Sequence, residues 1–145
     1  MLVCREDVTK FIPQRLPIVV VHGLLIHSAH SSTSVFDVEE GHLFVRDGKL
    51  LESGLMENIA QTTALRSGYH FSQVAQEQEG EMEPPIGFIG ALKNFNIYSL
   101  PTVGSKLETT VTVLHEVMGM QVVEGRVTVG ERLIADCEMK IFLKN

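Results

Sequence analysis

The chain's hydrophobic and polar positions divide it into two unequal kinds of pattern. From Pro85 onward, apolar and polar residues mostly alternate, the period-2 signature of strands with one buried face. The clearest run is "ERLIADCEMKIFLKN", where Leu133, Ala135, Cys137, Met139, Ile141 and Leu143 alternate with mostly polar neighbours. "SKLETTVTVLHEVMG" does the same with Leu107, Val111, Val113 and Val117. "IGFIGALKNFNIY" and "MQVVEGRVTVG" complete four consecutive strands, with Gly119-Met120 and Gly130-Glu131 as hairpin turns. Strands joined this closely pair antiparallel.

The first half reads differently. Residues 5–12 suit a short helix, stopped by Pro13. After the Pro13–Pro17 loop, the β-branched run Ile18 to Val21 opens a strand expected to reach Ser28. Thr33–Val38 suits a second strand, and Asp47-Gly48 a turn. The one strong helix pattern runs from about Ser53 to Gln73, with Ser53 or Gly54 as N-cap. At 100° per residue, Met56, Ile59, Ala60, Thr63, Ala64, Ser67 and Phe71 share a face of mostly small side chains. Glu57 lies at the margin of that face, so it is expected to be partly buried. If Gly54 caps, Glu57 occupies the third helical position, where a carboxylate suits the free N–H groups. "QEQEGEMEPP" is a solvated loop that ends the helix.

One strand region, one small-faced helix and four antiparallel strands are satisfied by a curved sheet wrapped around a central helix. That is an α+β chain with the hotdog architecture, a single domain over residues 1–145. The length and the 44% hydrophobic content suit one globular domain with a sizeable core. A net charge of −6 and the absence of any Lys/Arg block argue against a nucleic-acid partner. No run reaches the roughly 20 apolar residues of a membrane helix, and charges at Arg5, Glu6, Asp7 and Lys10 interrupt any leader. Two cysteines, Cys4 and Cys137, make neither a disulfide framework nor a zinc ribbon. A cytoplasmic protein without a metal site is the expectation.

Several segments carry a resemblance. "GLMENIAQTTAL" resembles the central-helix motif of the β-hydroxyacyl-acyl carrier protein dehydratases, the FabZ-type hotdog enzymes, with Glu57, Ala60 and Gln61 matching and Gly54 and Leu55 close to register. "IPQRLPIVVVH" resembles the family's opening segment through Pro13, Arg15 and Pro17. Phe95, Pro101 and Gly104 fall where the family's strand pair has them, and Ala135 and Glu138 fit its last hairpin. The likeness covers about residues 10–143. The departures cluster in one place: Gly41-His42-Leu43 begins like the family's histidine loop, but its prolines are replaced by "FVRDGKLLESG". His42 stands 15 residues before Glu57, one more than in the family. Gln14 replaces a family histidine. In this the chain is similar to the dehydratase-like proteins of aryl-polyene-type pathways.

The resemblance implies elimination of water from a 3-hydroxyacyl thioester, carried by an acyl carrier protein or CoA, to give a trans-2-enoyl thioester without a cofactor. His42 would be the base and Glu57 the acid, a partly buried glutamate being able to hold its proton. Gly54 and Leu55, at the helix N-terminus, would offer N–H groups to the thioester oxygen. Gln61 would bond near the substrate, and Arg15 would meet a carrier-protein phosphate. The family takes histidine and acid from different subunits, implying a homodimer, or a hexamer built of dimers. Two alternatives share the fold: an acyl-thioester thioesterase, and a non-catalytic hotdog subunit paired with an active paralogue. Plain readings stand beside these: a loop histidine, a capping glutamate, a solvated arginine. His22, His27, His70 and His115 read as structural, and Met56, Met118 and Met139 as core.

Overall fold

In the computed structural model, described for residues 1–77 and 86–144, a 3-10 turn at Arg5–Lys10 leads into strand β1, Gly23–His27, and strand β2, Ser31–Asp37. A miniature hairpin follows, β3 at Val45–Arg46 and β4 at Lys49–Leu50. Asp47 and Gly48 make its turn with φ of 53° and 75°, the paired positive values of a two-residue hairpin loop. Helix α1 runs Glu52–Glu77. Strands β5 (Ile86–Ile97), β6 (Lys106–Val117), β7 (Met120–Val129) and β8 (Arg132–Lys144) complete the chain. Six strands form one antiparallel sheet in the order β1-β2-β6-β7-β8-β5. Leu55 and Ile59 of the helix join Leu107, Val111, Val123, Val127, Ile134 and Met139 of the sheet in the main core. The architecture is the expected hotdog.

Three details depart from the sequence reading. The helix begins at Glu52 and extends four residues past Gln73. The turn before β7 is Met118-Gly119, one residue earlier than expected, with φ of 49° and 82°. The buried stripe of α1 is turned by one residue, or about 100°: Leu55, Asn58, Ile59, Thr62 and Arg66 face inward, while Met56 is 44% exposed. The reason is chemical. Asn58, Thr62 and Arg66 are polar, so a count of apolar positions passes over them. Asn58 Nδ2 donates to Val20 O (2.7 Å) and its Oδ1 accepts from Thr109 Oγ1. Thr62 bonds Ser34 (2.7 Å). Of the three methionines expected in the core, only Met139 is there; Met118, at a hairpin tip, is fully exposed.

The face of small residues looks outward instead. Ala60, Thr63, Ala64, Ser67 and Gly68 form one wall of a groove of about 480 Å³, closed by Phe11 to Arg15 and by Ile89 and Ile141. Gly68 lets the N-terminal segment in close, since a Cβ there would lie 2.2 Å from Phe11 O.

The two cysteines give a direct check of burial. Cys4 is exposed and Cys137 is buried. Burial, reinforced by Asp136, pushes the Cys137 thiol up to about 11. At pH 8 an aromatic disulfide reagent should therefore titrate one thiol per chain in the native protein and two in denaturant. Two rapidly reacting native thiols would contradict this core packing.

Candidate active site

The expected first strand is not a strand for its first five residues. Val19, Val20 and Val21 are buried, as their β-branched side chains suggest, but pairing begins only at Gly23. The backbone of residues 18–20 is satisfied by side chains instead. Gln61 Nε2 donates to Ile18 O (3.1 Å), and Gln61 Oε1 accepts from Val20 N (2.8 Å). Asn58 takes Val20 O, and His42 Nε2 bonds Val19 O (2.9 Å). Buried backbone groups need partners, and here the helix and the histidine loop supply them.

Glu57 stands at this seam. It is half-buried, and its Oε1 accepts from Gln61 Nε2 at 2.9 Å, an i,i+4 pair. Because the helix starts at Glu52, Glu57 is in the second turn and not in the capping position considered from the sequence. The carboxylate is thus held by a neighbouring amide on a half-open helix face.

The other expected site residues sit in different surroundings. Gln61 has no exposed surface, and its amide serves two backbone groups and Glu57. One of those bonds orients the Glu57 carboxylate. Leu55 is a core side chain with no exposure. The N–H groups of Gly54 (2.9 Å) and Leu55 (3.1 Å) both donate to Leu51 O. Gly54 is buried where a Cβ would meet Leu50 at 2.7 Å. The earlier start of the helix turned these two expected ligands into its first closed turn. Arg15 is exposed on the rim of the groove, with Nη1 bonded to Ile12 O (2.7 Å) and Gln14 O (2.8 Å).

His42 is the largest change. Phe44 N donates to its Nδ1 at 3.1 Å, which leaves the proton on Nε2, and that proton goes to Val19 O. Both ring nitrogens are spent on the chain's own backbone. The ring lies edge-on to Phe36 (5.5 Å) and stacks on Phe44 (5.8 Å). In this setting neither ring nitrogen has a free lone pair. On the other side of Phe36, His22 (4.6 Å) accepts from Asp37 N at Nδ1 (3.0 Å) and faces Glu39. Burial, with Arg5 nearby, pushes the His22 pKa below its ordinary value, against the pull of Glu39 and Asp37.

Asn58 is the residue that the sequence reading missed. The signal was present: a polar side chain between Leu55 and Ile59 on the sheet-facing stripe calls for a buried partner.

A protein-family profile described as "ApeP-like: ApeP dehydratase" matches residues 6–145. The chain belongs to the ApeP-like dehydratase family. This ApeP-like chain resembles, at 20% identity and a TM-score of 0.79, a chain of the dehydratase heterocomplex ApeI:P from Xenorhabdus doucetiae, covering 95% of this chain and 91% of that one. It also resembles a hypothetical thioesterase with coenzyme A from Streptococcus pneumoniae (11% identity, TM-score 0.66, 84% of each chain). The PaaI protein of the phenylacetic acid degradation operon of E. coli is similar as well (12% identity, TM-score 0.63, 82% of this chain and 80% of that one). These likenesses to solved structures speak for the hotdog fold. No curated protein sequence matches the chain. The function at family level is that of a hydroxyacyl dehydratase, a hydro-lyase. No helix among the described residues is long and apolar enough to cross a membrane.

Proposed function

We propose that this chain is the acid-supplying subunit of a dehydratase for 3-hydroxyacyl thioesters, and that a partner hotdog subunit brings the histidine. The single observation that carries this is the contrast between its two candidate groups. Glu57 is half-buried and presented by Gln61, whereas both nitrogens of His42 are occupied.

In the proposed reaction the partner's histidine removes a proton from C2. The C3–O bond breaks as its oxygen receives the Glu57 proton and leaves as water. The C2–H electron pair becomes the C2=C3 bond. Glu57, Ala64 and Gly68 lie along one line of the helix at 100° per residue, and the lining of the groove begins at Ala60, three residues past Glu57. An acyl chain laid along that groove would bring C3 to Glu57, with Arg15 on the rim near the carrier's phosphate.

The partner has a place to bind. Strand β5 is twelve residues long and pairs only with β8 among the described residues. Its free edge exposes Gly87, Ile89 and Gly90, and long unpaired edges invite another strand. A second copy of this chain would bring only another occupied His42. A different hotdog subunit with an intact Gly-His-Phe-Pro loop would bring a free imidazole, and the dehydratase heterocomplex ApeI:P from Xenorhabdus doucetiae offers a precedent.

The test is an assay of enoyl thioester formation with the chain alone and with such a subunit. The complex should turn over much faster than either part. His42→Gln in the complex should keep turnover within about threefold of wild type. It should lower stability by about 2 kcal/mol, from two lost hydrogen bonds. A chain active alone, and silenced by His42→Gln, would restore the homodimer with His42 as base. Free thiol released without enoyl product would identify a thioesterase.

A further inference from the structure

A second cavity, of about 350 Å³, lies at the other end of the helix, lined by Ala29, His30, Arg66, His70, Glu116 and Gln121 among others. Arg66 is nine residues past Glu57, about 13 Å along the axis at 1.5 Å per residue. It is only 6% exposed, which is rare for a guanidinium. Its Nη2 holds the turn between β1 and β2, donating to Ala29 O (2.6 Å) and Ser28 O (3.4 Å). Its Nε is buried with no partner among the described residues. A buried, charged donor without a partner is costly.

Imidazoles and one carboxylate, Glu116, surround it. His27 and His70 approach with ring centroids 5.7 Å apart, and His30 lines the cavity beside them. Three of the chain's six histidines thus gather around one guanidinium, in a chain of net charge −6. Glu116 also lines the cavity, but makes no ion pair with Arg66 among the described residues. No trio of His, Cys, Asp or Glu among the described residues is placed to hold a metal ion. Burial pushes the pKa values of both Arg66 and His27 below their ordinary values. The attraction of Glu116 opposes that shift for Arg66 without giving Nε an acceptor, and an oxyanion in the cavity would supply one.

We propose that the cavity bounded by Arg66, His30 and His70 binds a small oxyanion, a phosphate or carboxylate group. Arg66 supplies the fixed charge, and the imidazoles and the Gln121 amide supply further donors. This site is separate from Glu57 and does not depend on the dehydratase reading.

The test is a titration of the isotope-labelled chain with inorganic phosphate, with acetate, and with potassium chloride at matched ionic strength, followed by backbone amide shifts. Saturable shifts at Ala29, His30, Ser67 and His70 with phosphate or acetate, beyond those with chloride, are expected. The stronger of the two identifies the oxyanion. Arg66→Gln should weaken binding by about tenfold or more. That variant also loses a turn anchor, so the exposed His70→Gln gives an independent reading and should weaken binding by about threefold. Bound phosphate should move the titration of His27 to higher pH, which a purely structural arginine would not do. Glu57→Gln should bind as wild type does. Shifts no larger than with chloride, or unchanged affinity in both cavity variants, would overturn the proposal.

Discussion

Glu57→Gln should lower the rate of enoyl thioester formation by about 10²- to 10⁴-fold, the usual range for losing a general acid. The substitution is nearly isosteric. A glutamine carbonyl at this position can still accept from Gln61 Nε2, so the 2.9 Å bond that orients the side chain is preserved. What is lost is the exchangeable proton for the departing hydroxyl. The loss should fall on kcat, with KM changing little, because the groove that holds the acyl chain is untouched. Thermal unfolding should be nearly that of wild type. Turnover within tenfold of wild type, with correctly folded protein, would remove Glu57 from the chemistry.

The largest effect on stability is expected at Asn58. Asn58→Leu keeps the volume but removes the donor to Val20 O and the acceptor for Thr109 Oγ1. Both stranded groups are fully buried, since Val20, Asn58 and Thr109 have no exposed surface. Each unpaired group costs about 1–3 kcal/mol, so the variant should lose about 3 kcal/mol in denaturant unfolding. That corresponds to a fall in Tm of about 10 °C for a chain of this size. Against a typical stability of about 5–15 kcal/mol the loss is severe. A double variant, Asn58→Leu with Thr109→Val, should recover part of it, because one stranded group is then gone. A single variant as stable as wild type would mean that the network contributes little.

The sheet was largely legible from the chain. Strands β6 to β8 carry their alternation openly, and Asp47-Gly48 and Gly130 mark turns that need positive φ. The phase of the helix was not, because its sheet-facing stripe contains Asn58, Thr62 and Arg66. Their burial depends on partners far away in sequence: Val20, Thr109, Ser34 and Ala29. The same limit applies to the site. Glu57 and Gln61 are one helical turn apart, so their contact follows from local geometry. His42 was offered as a base by the resemblance alone, and nothing near it announces the carbonyl of Val19, 23 residues away, that bonds its Nε2. Gly54 and Leu55 fall inside the first turn because the helix begins at Glu52, ahead of the Ser53 or Gly54 cap that the chain suggested.

The seam at residues 18–20 has one more consequence. Gln61, Asn58 and His42 recognise this stretch through its main-chain atoms, not its side chains. Ile18, Val19 and Val20 can therefore be exchanged among apolar residues of similar bulk without loosening the attachment. The three that grip them cannot be exchanged at all on the same terms. Natural variation in relatives should show the inverse of the usual rule, with drift inside the hydrophobic run and constancy at the distant polar positions that hold it.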